Sequence, residues 1–131
     1  MNQYHKPYTP EDSAIVFIDF QPQMLFGVAS ADRATMINNV TLLAKVAKEF
    51  KVPTVLTSVE TESFSGYVWP QLLDIFPGQP VIERSSMNSW DSMDFRKAIE
   101  ATGRNAHGEV GHVLEGRTIR RHNDAGQQRV V

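Results

Sequence analysis

Cysteine is absent from all 131 residues. That excludes a disulfide framework, a thiolate zinc site and a cysteine nucleophile within this stretch. Charge of either sign is scarce in the balance: 13 basic residues against 15 acidic ones leave −2, which gives no pull toward nucleic acid or an anionic membrane. No apolar run approaches membrane-spanning length, and Met1-Asn2-Gln3-Tyr4-His5-Lys6 has no apolar signal core behind it. A soluble, cytoplasmic protein is expected. Internal repeats and low-complexity runs are missing. So are a Gly-x-Gly-x-x-Gly turn and a phosphate-cradling Gly-Lys-Ser/Thr, which weakens any nucleotide reading; no cofactor is expected. Apolar content of 41% is too high for a disordered chain, and the length suits one compact domain rather than two.

What is present is ordered around Ser13-Ala14-Ile15-Val16-Phe17-Ile18-Asp19-Phe20-Gln21. Five consecutive apolar residues, β-branched and aromatic among them, read as a strand covered on both faces. Periodicity alone leaves a buried helix open, but the run is short and Gln21-Pro22-Gln23 stops it. Asp19 stands at its end. At the carboxyl edge of a parallel sheet an acid suits ligand chemistry, while a turn cap or a structural ion pair is the plainer alternative.

Upstream, the polar Met1–Asp12 stretch with Pro7 and Pro10 reads as an extended arm. Downstream, Gln21 to Ala31 reads as a loop with a helical turn around Met24-Leu25-Phe26. A helix is expected over Asp32 to Lys51, with Ile37, Val40, Leu43, Val46, Ala47 and Phe50 on one face. Asp32 or Ser30 would cap its start, and Lys48 and Lys51 suit its negative end. Thr54 to Val59 is a second strand, dense in β-branched residues. Glu60 to Tyr67 is a polar loop, and Pro70 opens a short helix with Leu72, Leu73, Ile75 and Phe76. Pro80 to Arg84 is a third strand ending on a base. Asp91 with Asp94 resembles a capping box before a helix that carries Phe95, Ala98, Ile99 and Thr102, with Gly103 closing it.

Strand and helix thus alternate three times. The expected fold is α/β, a three-layer αβα sandwich on a parallel, Rossmann-like sheet, with Asp19, Glu60 and Arg84 on one edge. At Arg104 the character changes. Residues 104–131 lack aromatics and lysine but hold three of the four histidines and four of the eight glycines. Nothing there is apolar enough for a convincing next strand; Val113-Leu114, Thr118-Ile119 and Val130-Val131 are the only strand-like pieces. The division is therefore drawn as 1–103 for the domain and 104–131 for an atypical tail, disordered or frameshift-derived.

The pattern Ala14 to Gln21, the proline-led second strand, the Glu60-Thr61 loop, and Val81-Ile82-Glu83-Arg84 followed by Asn88-Ser89-Trp90-Asp91 resemble the isochorismatase-like cysteine hydrolases, in their YcaC-type branch. The resemblance runs from about Pro7 to Arg104 and implies a larger, six-stranded parallel sheet, usually in an oligomer, so the chain reads as truncated. It implies catalytic roles for Asp19, which would take the proton of a thiol, and for Arg84, at a position where lysine is common. It implies a substrate pocket at Phe20, Gln21, Asn88 and Trp90. The third catalytic member, a cysteine in a Thr-Glu-x-Cys segment, has no counterpart, and Thr118 lies in no comparable context.

Two functions follow. One is a hydrolase of small amides or related compounds, inactive as this chain for want of its nucleophile. The other is a non-catalytic small-molecule-binding or oligomerising fragment or paralogue, of marginal stability because a sheet built to be covered would expose an edge. A third reading gathers His107, His112 and His122 with Glu109 and Asp124 as a metal site, but the spacings match no compact motif and no metal is expected. A phosphoacceptor domain would need a further acidic pair that Phe20-Gln21-Pro22 does not supply. Trp69, Trp90 and Phe95 read as packing rather than as stacking platforms.

Overall fold

A computed structural model describes residues 9–29, 31–63 and 65–104 in full, and the backbone of 106–111, 120–121 and 129–130. In chain order the elements are β1 (Ser13–Ile18), α1 (Pro22–Phe26), α2 (Arg33–Glu49), β2 (Thr54–Val59), α3 (Pro70–Ile75), β3 (Val81–Arg84), α4 (Met93–Ala101) and β4 (Ala106–Gly111). A 3-10 turn at Ser89–Asp91 precedes α4. Arg120–Arg121 (β5) and Arg129–Val130 (β6) form a separate antiparallel pair.

The main sheet is parallel and runs β3-β2-β1-β4. Alternation along β1 and β2 sends Phe17 and Leu56 to one face and Val16 and Val55 to the other. The first face packs against Leu25 of α1, Val40 and Ala44 of α2, and Leu72 and Ile75 of α3. The second packs against Phe95 and Ile99 of α4. The expected three-layer α/β sandwich is present, with β1 covered on both faces. The Met24-Leu25-Phe26 turn is a short helix, because Pro22 at its first turn fixes φ without costing a hydrogen bond.

Three expectations change. First, a strand does follow Gly103: Ala106–Gly111 pairs with β1 from Ser13↔Ala106 to Ile18↔Gly111. Apolarity marks a strand covered on both faces, whereas pairing is a main-chain matter. The free edge of β1 holds N–H and C=O groups that need partners whatever side chains the partner strand carries. Second, α2 does not bury every member of its expected face. Val40, Ala44 and Ala47 are buried, but Val46 and Phe50 are 43% and 61% exposed. Third, α4 is capped by Ser92, whose hydroxyl accepts from the Phe95 amide, rather than by Asp91. Asp91 belongs instead to the preceding 3-10 turn.

Asp32 caps α2 through the amide and hydroxyl of Thr35, while Ser30 lies outside the described residues. Lys48 stands in the last turn of α2, as expected. Its Nζ donates to the Ile75 carbonyl of α3 at 2.8 Å. Gly103 closes α4 with φ +64, a left-handed backbone that suits glycine. The arm at 1–8, the Val113-Leu114 and Thr118-Ile119 pieces, and the side chains of His107, His112, His122, Glu109 and Asp124 lie outside the described residues.

Candidate functional site

At the carboxyl edge, two strands end by the same device. Asp19 N–H donates to the Thr57 carbonyl, and Glu60 N–H donates to the Arg84 carbonyl, each completing a last rung of the parallel ladder. Each residue then takes a left-handed backbone, with φ +59 at Asp19 and +41 at Glu60. This region is sparsely used by side chains other than asparagine, aspartate and glycine, so both turns carry strain. The turn ends the pleat and sends the Asp19 carboxylate across the end of β2 toward β3.

There it meets Arg84. Arg84 Nη2 donates to Asp19 Oδ1 at 2.6 Å, and both side chains are almost wholly withdrawn from water. The other guanidinium nitrogens are also engaged: Nε donates to Ser89 Oγ at 3.1 Å and Nη1 to the Ser86 carbonyl at 2.9 Å. Three bonds, one from each guanidinium nitrogen, fix the group, with Nη2 on the acid. Burial pushes the Asp19 carboxyl above its ordinary value, with the charge and hydrogen bond of Arg84 pulling the other way. Burial likewise draws the Arg84 guanidinium down, against the pull of Asp19. Desolvation outweighs attraction for both groups. Asp19 is therefore a better proton acceptor than a surface aspartate, beside a cation that can orient an anion.

Glu60 shares the edge, as expected, but not the ion pair. With Glu83, Arg84, Ser85, Ser86, Asp91 and Ser92 it lines an open depression of ≈ 570 Å³. Glu83 holds the rim, its Oε1 accepting from the amide and hydroxyl of Thr61 at 3.0 and 2.7 Å.

The four residues expected around a pocket have these settings. Phe20 is 2% exposed and packs edge-on against Phe17 and Trp69. Gln21 is 0% exposed and its amide is a clamp: Nε2 donates to the carbonyls of Val59 and Gly66, and Oε1 accepts from the Val59 amide. Asn88 is exposed and caps the 3-10 turn, accepting from Trp90 N–H and donating to Asp91. Trp90 is half-buried and lies edge-on to Phe95. None of the four lines the depression.

Sequence reasoning did not single out Ser89, Ser86 or Ser58. The first two hold Arg84; their signal was a cluster of short polar residues directly after a strand-terminal arginine. Ser58, fully buried near the end of β2, has no hydrogen-bond partner for its hydroxyl among the described residues.

Comparison with known proteins gives the geometry a context. Residues 13–111 match the Isochorismatase domain family, so the match runs through β4. The protein named Probable hydrolase YcaC of Escherichia coli K12 is 37% identical over 103 residues, covering 76% of this chain and 50% of its own. YcaC from Pseudomonas aeruginosa, solved with hexane-2,5-diol and covalent acrylamide, superposes with a TM-score of 0.80 at 35% identity, covering 83% of this chain and 55% of that one. The E. coli YcaC gene product, described as an octameric hydrolase of unknown specificity, gives 0.77 at 36% identity, covering 82% and 55%. The chain thus spans about half the length of the relatives it matches.

Proposed function

The chain belongs to the isochorismatase family, and we propose that these 131 residues hold the acid and the base of a hydrolase site without the nucleophile that would make them hydrolyse. Asp19 is assigned the role of accepting a proton, and Arg84 that of holding a thiolate or an anionic group of a substrate. The substrate class is a small amide or related carbonyl compound, and the intact fold acts as a cytoplasmic homo-oligomer, in keeping with the octameric E. coli relative.

The observation that carries this reading is the pairing of a buried Asp19–Arg84 contact with a sequence that contains no cysteine. Ser89, whose hydroxyl touches Arg84, does not substitute for the thiol. Ser89 Oγ accepts from Arg84 Nε, and a guanidinium, always protonated, cannot take the hydroxyl proton in return. A serine without an adjacent base stays a weak nucleophile. What remains is a binding function: a preformed acid–guanidinium pair beside an open depression, able to hold a small polar molecule without turning it over.

The test is a hydrolysis assay of the purified chain against a panel of small amides, beside Asp19→Ala and Arg84→Ala. All three should match buffer alone, and incubation with acrylamide should leave the mass of the chain unchanged. Amide hydrolysis that either substitution removes would sink the proposal.

A further inference from the structure

Glu60 follows β2 as Asp19 follows β1, but its carboxylate is unspent. Its amide donates to the Arg84 carbonyl at 3.0 Å, which seats it beside the strand that carries the guanidinium. It lines the open depression, and among the described residues no hydrogen bond or ion pair engages its carboxylate. The other two acids of the lining are occupied: Glu83 accepts from Thr61, and Asp91 accepts from Asn88. Arg84, the sole cation among the described lining residues, is occupied as well. Its side chain is 1% exposed and bonded to Asp19.

The backbone makes the identity of this residue informative. Both Asp19 and Glu60 take the left-handed region, at φ +59 and +41. Aspartate tolerates that region, as asparagine and glycine do; glutamate does not. A glutamate there costs stability that a shorter residue would spare, and such strain persists where the side chain is used. An exposed acid in an ordinary conformation would be plain surface charge. Here the strain, the unspent carboxylate and the place on the depression coincide in one residue. The charges of Asp19 and Arg84 cancel, so the depression presents net negative charge with Glu60 foremost. It also presents hydroxyls: Ser92 Oγ accepts from the Phe95 amide, and its own O–H is left to donate to a carbonyl oxygen.

On the reading of the depression as a small-amide site, on which this inference rests, we propose that Glu60 determines specificity. It selects amides that also carry a positively charged nitrogen, the ammonium on its carboxylate and the amide oxygen on the serine hydroxyls. Because Glu60 is exposed, the ion pair works against water and salt. The preference over a neutral amide of the same shape is about two- to fivefold in affinity, the range of an exposed pair.

The experiment titrates the 131-residue chain near neutral pH with glycinamide, whose amine is protonated, and with propionamide, its neutral counterpart of similar shape, following nitrogen-15 resolved amide resonances. Glycinamide should bind more tightly by the stated factor, and the difference should fade in about 1 M salt, where the Debye length falls to about 3 Å. Glu60→Gln and Glu60→Asn should erase the preference, and Glu60→Asp, which keeps the charge, should retain it. Glu100→Gln, an exposed acid in the last turn of α4, should leave it unchanged. Urea denaturation supplies a readout that a structural role would move the other way. Glu60→Asn, at ease in the left-handed region, should unfold at the same or a higher urea concentration than the parent. Equal binding of the two amides, or a preference that survives Glu60→Gln, overturns the proposal while leaving the small-amide site standing. A lower urea midpoint for Glu60→Asn overturns it as well, because Glu60 would then hold the fold. If neither amide shifts any resonance, the small-amide reading fails and this inference fails with it.

Discussion

Asp19 Oδ1 and Arg84 Nη2 meet at 2.6 Å across the end of the strand between them, 65 residues apart in sequence. Taking two charges out of water costs several kcal/mol per ion, and one contact repays that only in part. The pair is therefore a weak source of stability but a strong constraint, because neither member is tolerable alone. Asp19→Asn should destabilise the fold by about 3 kcal/mol and Arg84→Met by a similar amount, each leaving one buried charge without its partner. Asp19→Asn/Arg84→Met together should cost far less than the sum. Asparagine keeps the left-handed backbone comfortable at position 19. Urea denaturation of the four proteins measures the coupling, and strict additivity would contradict a mutually dependent pair.

The same burial sets a pH dependence. Asp19 titrates above its ordinary value of 3.8 in the folded state, from burial first, with Arg84 opposing. The folded chain then holds a proton that the unfolded chain has released. By linkage, the contribution of this group is fully present below the unfolded value and is lost as pH rises through the raised folded one. Carbon-13 titration of the Asp19 carboxyl should place its midpoint above that of a surface aspartate. Arg84→Met, which removes the cation that opposes this shift, should move it further up. A midpoint at or below the ordinary value would refute this account.

Two caps lie next to each other before α4, and they should respond differently. Ser92 Oγ accepts from the Phe95 amide and satisfies an orphan donor of the helix. Ser92→Ala should cost about 1 kcal/mol. Asp91→Ala removes only an exposed contact with Asn88 and should cost less than about 0.5 kcal/mol. Thermal melts of both variants separate the two. The reverse order would restore Asp91 as the cap.

How legible the chain was depended on how local each signal is. β2 was readable at Thr54–Val59 because a dense β-branched run between Pro53 and a polar loop leaves little choice. Asp19 and Arg84 were identified as strand-terminal residues, since polarity following an apolar run is itself a local pattern. Their contact was not readable, because it depends on two strands flanking a third and on a left-handed turn at Asp19. Val46 and Phe50 share the apolar spacing of a helix face, yet both are exposed, because spacing records a face without saying whether anything covers it. β4 was missed because Ala106-His107-Gly108-Glu109-Val110-Gly111 has no apolar run, and backbone pairing leaves no mark in side-chain composition.

Gln21 is the residue whose loss should reach furthest from its own position. Its side-chain amide closes three bonds at once, to the carbonyl and amide of Val59 at 2.9 and 3.0 Å and to the carbonyl of Gly66 at 2.6 Å. It thereby ties β1 to the end of β2 and to the loop beyond. Gly66 serves the same tether from the other side: its φ is +78, and a Cβ there would stand 3.2 Å from Pro22 Cδ. Gln21→Ala should cost about 2–4 kcal/mol, because buried main-chain groups lose their partner with no water to replace it. Gly66→Ala should cost about 1–2 kcal/mol from the left-handed backbone alone. Since both changes loosen one tether, the double variant should fall short of the sum. Amide exchange at Val59 should accelerate in Gln21→Ala while exchange inside α4, packed on the opposite face, follows only the global loss of stability. Uniform acceleration at both places would mean that Gln21 acts as ordinary core filling and not as a clamp.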